Sequence, residues 1–305
     1  MMIEKDQLIN RFSPVTKETW LQKINRDLKG QDISELHESI SDDWKIDPFI
    51  HFEDLSPPEV NQIQFRRDSH SIALERITDT HPAAANKEAL RALKEGAGAL
   101  FFTSDQLTDS NLVMDGIDTQ LAPVFSRQLD KTILTEDENT VISISLSHDF
   151  TESCGSWFRN IIEEDRSEFV MQVRCVDQFY HNICALRALR ICWNQLMQDI
   201  HKEDTRFVII ADYDVDDDED LAFNLQLSMP KVLAAFLGGA DHIASPGGLE
   251  KNEAKWYHNL VHLLTLEAGL EPTRDTMSGS FYLEKLTNDI ADRIWSSLLK
   301  QAGQK

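Results

Sequence analysis

The chain has 305 residues, of which 41% are hydrophobic and 27% are charged, a composition typical of a globular protein with a sizeable core. Its 52 acidic residues outnumber 30 Lys and Arg residues, which gives a formal net charge of −22. This charge repels nucleic acid and anionic membranes, so neither is an expected partner, and it disfavours polyphosphate ligands unless basic residues gather locally.

No apolar run is long enough for a membrane span, and the amino-terminal MMIEKDQLINRF lacks the apolar core of a signal peptide. The cysteines have no Cys-x-x-Cys spacing; they are Cys154, Cys175, Cys184 and Cys192. We therefore expect free thiols and a cytoplasmic location. Cys184 and Cys192 lie on a helical pattern and are predicted packing residues.

Residues 1–58 are predicted to form an N-terminal arm, and residues 59–305 the main domain. A helix is predicted over 13–30, where SPVTKETWLQKINRDLKG begins with Pro-Val-Thr and ends at a glycine. The segment 44–59, WKIDPFIHFEDLSPPE, is broken by prolines and is predicted to run extended over the outside of the main domain.

Beyond the arm, short apolar runs alternate with helical patterns. The predicted strands cover residues 62–66, 97–103, 122–126, 140–147, 169–175, 206–213 and 241–245. Several are apolar on successive residues, which indicates strands covered on both faces. The alternation predicts parallel βαβ units, and the lack of a glycine-rich dinucleotide motif favours an α/β fold of the TIM (β/α)8 barrel type over a doubly wound sheet. An eighth strand is not evident: either the irregular segment 271–280 supplies it or the barrel is shortened or incomplete.

The small-residue turn Ser278-Gly279-Ser280 runs directly into Phe281 and Tyr282, which begin the last predicted helix and its apolar stripe. The free N–H groups at such a helix start suit an anion or a close backbone contact. The simpler interpretation is a capped helix whose aromatic residues close one end of the barrel, and local sequence favours it because short motifs have many chance matches.

Five segments carry a wider resemblance. They are TWLQKINRDLKG (19–30), HPAAANKEALRALKEGAGALFF (81–102), DQFYHNICALRALRICWNQL (177–196), VLAAFLGGADHI (232–243) and SGSFYLEKLTNDIADRIW (278–295). In this order they resemble the methylmalonyl-CoA mutase family, specifically the barrel domain of its small, non-catalytic subunit. The last segment is the most specific, since it is similar to the family's Ala-Gly-Ser-Tyr-Tyr-Val-Glu-x-Leu-Thr signature. The resemblance implies that this turn closes the last barrel unit, in a mainly architectural role.

The family's catalytic members interconvert methylmalonyl-CoA and succinyl-CoA through an adenosylcobalamin radical, and their cobalamin-binding domain carries an Asp-x-His-x-x-Gly loop. Here the Asp-x-His pairs at 68–70 and 79–81 are followed by Ala73 and Ala84 at the position of that glycine. Only ten residues follow Trp295, too few for a further domain. We therefore expect that this chain alone binds no cofactor and that a catalytic partner subunit holds adenosylcobalamin.

The segment SISLSH (143–148) places His148 where catalytic members present a histidine to the thioester carbonyl, with Leu146 and Ser147 in place of their Gly and Tyr. Catalytic groups of barrels lie at the carboxyl ends of strands, so His148 is the candidate catalytic residue. The alternative, favoured by the missing tyrosine, is a solvent-exposed loop histidine.

The candidate substrate-binding residues are Arg66, Arg67, Ser278 and Ser280. The two arginines remain from a segment that is richer in arginine and tyrosine in catalytic members. The two serines belong to the turn before the last helix.

The acidic run DYDVDDDED (212–220) stands where catalytic members have a Gln-Thr-Ser-Gly-Trp-like segment. It fails as an EF-hand loop, because Asp217 replaces the glycine and Phe223 the final glutamate. We predict a solvated acidic loop that repels the phosphates of coenzyme A, and a metal site is the less favoured alternative.

Three functions are compatible with these features. The preferred one is a small-subunit-like barrel that pairs with a catalytic mutase subunit as a heterodimer. The second is an autonomous acyl-CoA-binding protein or isomerase that uses His148, and the third is a non-enzymatic interaction module. Apolar residues of the arm are the predicted partner contact, or else they cover this chain's own barrel; they are Trp20, Leu21, Ile24, Trp44, Ile46 and Phe49.

Overall fold

The computed structural model describes residues 13, 15–41, 44–55, 72–104, 107, 109–126, 142–147, 149–216, 218–247, 249, 253–270 and 275–303. The helices are α1 (Lys17–Asp27), α2 (Pro82–Lys94), α3 (Ser110–Val113), α4 (Phe150–Ile161), α5 (Phe179–Asp199), α6 (Leu221–Leu237), α7 (Ala254–His262) and α8 (Phe281–Ala302). The strands are β1 (Glu38–Ser41), β2 (Trp44–Ile46), β3 (Ile72–Ile77), β4 (Ala99–Phe102), β5 (Val124–Ser126), β6 (Ile142–Ser145), β7 (Glu168–Arg174), β8 (Arg206–Asp212) and β9 (His242–Ala244).

Within the described residues, the main sheet has seven parallel strands in the order β5-β4-β3-β9-β8-β7-β6. The first strand, β3, pairs with the last, β9, so the order is that of a ring interrupted between β5 and β6. A doubly wound sheet would instead reverse its strand order at an internal point. The sheet is therefore a curled half-barrel, which confirms the predicted α/β barrel type in its shortened form.

The strands are covered on both faces because their side chains alternate between the barrel interior and the surrounding helices. On β7, Phe169, Met171 and Val173 pack in the helix-side core, whereas Val170 points into the barrel interior. The apolar cluster of the interior consists of Leu74, Ala99, Phe101, Phe125, Val170, Val208, Ile210 and Ala244, and the buried His242 ring lies 4.9 Å from that of Phe125. The barrel is thus filled by side chains, as small barrels are.

Helix α8 begins at Phe281, as predicted, and packs mainly against α4 and α5. Its buried stripe includes Leu286, Ile290 and Ile294. The approach to α4 is close, because a Cβ added at Gly155 would lie 2.8 Å from the backbone nitrogen of Leu298. The final helix therefore bridges α4 and α5 in the outer layer of helices. It does not pack mainly against α7 and α2, the helices beside the junction of β9 and β3.

The arm contains the predicted helix, α1, whose start is capped by the Thr16 side chain. It also contains an antiparallel hairpin, β1–β2, that the sequence reading of 44–59 as merely extended did not predict. Trp44 and Ile46 of the hairpin are buried in the helix-side core. For these two residues the predicted contact with a partner is wrong. The alternative prediction, that they cover this chain's own barrel, is correct.

Helix α1 has no buried residue, and Trp20, Leu21 and Ile24 are half-buried. The ring of Trp20 stands edge-on to Phe49 at 5.9 Å. Apolar side chains of this helix are therefore partly exposed, and Leu36 and Phe52 are exposed elsewhere in the arm.

Six of the seven predicted strands overlap β4 to β9, and the one at 62–66 falls outside the described residues. Strand β3 was not predicted. Of the candidate eighth strand at 271–280, the described part, 275–280, is a turn. The boundary predicted between residues 58 and 59 also lies outside the described residues and stays a prediction.

Candidate functional site

Three side chains donate to the carboxylate of Asp212 at the carboxyl ends of the strands. Arg76 Nη2 on β3 and Gln172 Nε2 on β7 both donate to Oδ2, and Arg174 Nε on β7 donates to Oδ1 at 3.1 Å. The Asp212 side chain is only 2% exposed. Because barrel proteins bind substrates at this end, we take this group, the mouth cluster (Arg76, Gln172, Arg174 and Asp212), as the candidate functional site.

The strand register explains how these residues meet. Arg174 and Asp212 are partners in the parallel ladder between β7 and β8. Strand β9 separates β8 from β3, and it contributes the small residue Ala244 to the interior, so the Arg76 guanidinium can reach across it. Gly247 adjoins the guanidinium, since a Cβ there would lie in van der Waals contact with Arg76 Nη1, at 3.5 Å.

The charges of the mouth cluster are balanced. Arg174 Nη1 donates to Asp214 at 3.0 Å, so two guanidinium groups face two carboxylates. Burial lowers the pKa of Arg174, but the hydrogen bonds and charges of Asp212 and Asp214 outweigh it and raise the pKa above its ordinary value. The Arg174 side chain is 44% exposed, so solvent reaches the cluster. The arrangement can recognise an anion, and it offers no uncommitted base or nucleophile.

A second buried carboxylate, Glu75, points to the other side of β3. Its Oε2 accepts from the Ser245 hydroxyl at 2.7 Å and lies 2.9 Å from His258 Nε2, while Arg91 approaches Oε1 at 3.6 Å. Ser245 therefore bonds to the carboxylate and not to the histidine, which is not the order of a serine–histidine–acid relay. This group ties β3 to α2, to α7 and to the loop after β9.

A third buried group holds the turn before α8. Arg187 of α5 donates to Asp275, to Glu284 Oε1 at 3.0 Å and to Thr287 Oγ1 at 3.2 Å. The Gly279 N–H, at a positive φ of 87°, donates to the same Glu284 oxygen at 2.9 Å. A carboxylate of the chain itself thus occupies the anion position at this turn. The architectural role of the Ser-Gly-Ser segment fits this geometry, but the predicted cap and the predicted closure by aromatic residues do not, because the Ser280 side chain makes no capping bond and Phe281 is 44% exposed.

Three comparisons with known proteins bear on the identity of the chain. The family model described as methylmalonyl-CoA mutase matches residues 164–303, which include β7 to β9 and α5 to α8. The methylmalonyl-CoA mutase of Rhizobium meliloti (strain 1021) is 24% identical over 128 residues, 38% of this chain and 18% of that protein. The methylmalonyl-CoA mutase small subunit of Porphyromonas gingivalis (strain ATCC BAA-308 / W83) is 31% identical over 114 residues, 33% of this chain and 18% of that protein.

Over this part of the chain, the resemblance to the methylmalonyl-CoA mutase family is confirmed. The match spans 18% of the length of each of these curated relatives. The solved structure of Rv1207 from Mycobacterium tuberculosis aligns with 68% of this chain and 98% of its own at 7% identity, but its TM-score of 0.35 is too low to support an argument.

Of the residues predicted from the mutase resemblance, His148, Arg66 and Arg67 lie outside the described residues. Ser278 and Ser280 are exposed in the turn before α8, and the Ser280 side chain does not cap the helix. Neither serine belongs to the mouth cluster, and the roles of all five residues stay predictions.

The prediction of a solvated acidic loop over 212–220 is wrong for its first two residues, because Asp212 and Tyr213 are both buried. Asp212 ends β8 inside the barrel mouth, where two guanidinium groups and an amide compensate its buried charge. Asp218, Glu219 and Asp220 are exposed as predicted, and Asp220 caps α6. No group of three metal-ligating side chains occurs among the residues that the structure describes.

Sequence reasoning missed Arg76 and Glu75 because it missed β3. The strand reads IALERI, and its two adjacent charges hide the apolar pattern. The signal that could have identified it is alternation, since Leu74 and Arg76 face one side and Glu75 faces the other.

The cysteine prediction is confirmed: Cys154, Cys175, Cys184 and Cys192 are all free and buried. Burial raises the pKa of the last three to about 12, and that of Cys154 further. They are packing residues with suppressed reactivity.

Proposed function

We propose that this chain is a small-subunit-like partner of methylmalonyl-CoA mutase, and that it supports the interconversion of methylmalonyl-CoA and succinyl-CoA by a catalytic subunit. The observation that carries this proposal is the mouth cluster. Where an enzyme of this fold would present groups to a substrate, the donors Arg76, Gln172 and Arg174 of this chain are bound to Asp212.

Two further observations support a non-catalytic role. The interior below the mouth cluster is filled by aromatic and aliphatic side chains, including Leu74, Phe101 and Phe125. One of the two relatives reported above is named as a small subunit, and it is the more similar of the two, at 31% identity.

Adenosylcobalamin is proposed to bind to the partner and not to this chain. The Asp-x-His pair at 79–81 does not fit a cobalt-ligating loop: Asp79 Oδ1 accepts from the backbone N–H of His81, and His81 is the residue before α2. Ala84, at the position of the expected glycine, lies within α2. No step of the reaction is therefore assigned to cobalamin in this chain.

Among the described residues, no helix is both long and apolar enough to cross a bilayer. A cytoplasmic location is part of the proposal, and four free cysteines agree with a reducing compartment. The half-buried apolar side chains of α1 (Trp20, Leu21 and Ile24) are the proposed partner contact on the arm.

The experiment is co-expression with a cobalamin-binding mutase subunit from the same organism. We expect the two chains to co-elute in size-exclusion chromatography, and a chain that lacks residues 1–30 to elute separately or to bind more weakly. Free elution of the full chain beside a fully active partner would exclude the subunit role. Intact binding of the shortened chain would exclude only the contact through α1.

The chain alone is then assayed with methylmalonyl-CoA and adenosylcobalamin. We expect no turnover. Turnover that disappears in His148→Ala would instead establish the autonomous isomerase that the sequence left open.

A further inference from the structure

The mouth cluster has the composition of an anion-binding site. Two guanidinium groups and one amide N–H converge on one carboxylate, which is the donor set that proteins use for carboxylate ligands. The bound carboxylate belongs to the chain itself. We propose that the barrel mouth is a binding site for a small carboxylate and that the Asp212 side chain occupies it as an internal ligand.

Two of the three donors are also held by contacts that do not depend on Asp212. Gln172 Oε1 accepts from the Ser143 hydroxyl at 2.9 Å, which fixes the amide, and Arg174 Nη1 is bound to Asp214. These two donors would therefore stay in place if the Asp212 carboxylate were removed. The site would then carry two guanidinium groups against one remaining carboxylate, an excess of one positive charge at the barrel mouth.

The space and its surroundings define the ligand class. The interior beneath is packed, so the ligand has room for its carboxylate and little else on that side. The open side is next to Arg174, which is 44% exposed, so any substituent would extend toward solvent. Acetate is a small probe with this chemistry that matches the side chain of aspartate beyond Cα, and acetamide is its neutral analogue of nearly the same shape.

In the native chain the internal ligand excludes external carboxylates, because an acid would have to displace a side chain that is attached to β8. This inference concerns the chain alone and does not rest on the proposed partner role. Its test needs no partner subunit, so its failure would leave the subunit proposal unaffected.

The test is chemical rescue of Asp212→Ala. We expect this variant to melt at a lower temperature than the native chain, because Arg76 and Arg174 lose the counter-charge that they share. Acetate should restore most of the lost melting temperature in a saturable manner. Acetamide at the same concentration should not, and neither should sodium chloride at the same ionic strength. The native chain and the control Asp214→Ala should show no acetate-specific rise.

Two further variants keep the inference falsifiable. Arg76→Gln in the Asp212→Ala background should abolish the acetate effect, because it removes one of the two guanidinium groups. If Asp212→Ala does not fold in buffer, its refolding yield with acetate is compared with that with acetamide. Equal effects of acetate and acetamide on the melting temperature or on the refolding yield would overturn the proposal. A rise in the melting temperature of the native chain with acetate that is as large as that of the variant would also overturn it.

Discussion

Arg187 of α5 and Glu284 of α8 form an ion pair in which both side chains are fully buried, with Nη2 3.0 Å from Oε1. The same guanidinium binds Asp275, so one cation serves two carboxylates from the turn and the first turn of α8. Burial raises the pKa of Asp275, and the nearby charge of Arg187 lowers it only in part. One buried arginine thus ties the start of the most specific segment of the family resemblance to α5.

Replacing that arginine should be severely destabilising. Arg187→Met keeps the length of the side chain but leaves two buried carboxylates without their cation, and we expect a loss of about 3–5 kcal/mol in the free energy of unfolding. The measurement is urea unfolding followed by circular dichroism. Arg159→Met is the matched control, since its partner Glu163 is 70% exposed and such pairs contribute about 0–1 kcal/mol. Equal losses in the two variants would show that the buried pair is not important for stability.

The position of α8 can be tested through Gly155. In Gly155→Ala the new methyl group would lie 2.5 Å from the Ser297 hydroxyl oxygen and 2.8 Å from a backbone nitrogen of α8. Because the backbone has to move, we expect a destabilisation of about 1–3 kcal/mol by the same measurement. Gly303→Ala, whose Cβ would be 3.6 Å from its nearest neighbour, should change stability little. A neutral Gly155→Ala would contradict the packing of α8 on α4.

The hairpin of the arm should be part of the cooperative unit. Trp44 is 8% exposed and lies under the Arg293 guanidinium, 4.2 Å from the ring centroid. We expect Trp44→Ala to cost about 3–5 kcal/mol through lost burial. Trp256→Ala is the control, because that ring also has a cation, Lys255 at 5.4 Å, but is 46% exposed; its cation contact contributes about 0.5–1 kcal/mol. Similar effects of the two variants would mean that the hairpin folds apart from the barrel.

The cysteines should react only when the chain unfolds. With pKa values of about 12 for Cys175, Cys184 and Cys192, the reactive thiolate is scarce at pH 8. We expect no labelling by a thiol reagent in buffer and labelling of all four thiols in denaturant. Fast labelling of the native chain would contradict the buried positions.

The fold class could be predicted from the sequence because β7, β8 and α5 are buried on most sides. Elements buried in this way have long runs of apolar residues, which are visible in the sequence. It failed at β3, where Glu75 and Arg76 are stabilised by partners up to 183 residues away, such as His258. A local pattern cannot show such compensation.

The same reason explains the misreading of Asp212. In an acidic run an exposed position is the sound expectation for each residue. Asp212 differs from the rest of the run because it ends a buried strand beside Arg174. This neighbourhood depends on the register between β7 and β8, which a local sequence pattern does not show. The family resemblance located His148 and the turn before α8, but not the mouth cluster, which no motif records.

His181 provides a test of acid stability. It is 3% exposed between the rings of Trp44 and Phe150, and burial lowers its pKa to about 4. In the unfolded chain an unperturbed histidine titrates near 6.5, so between about pH 6.5 and 4 the unfolded state binds more protons than the folded state. Stability should therefore fall as the pH falls through this window, by about 3 kcal/mol from this residue.

The measurement is the free energy of unfolding in urea at several pH values from 7 to 4. His181→Phe replaces the imidazole with a ring that cannot take up a proton, so its stability should decline less steeply with acid than that of the native chain. His201→Asn, at an exposed position with a positive φ of 56° that asparagine tolerates, controls for the loss of one histidine. If the native chain and His181→Phe lose stability in parallel as the pH falls, proton uptake by His181 on unfolding does not cause the loss. The burial of His181 beside Trp44 is then wrong.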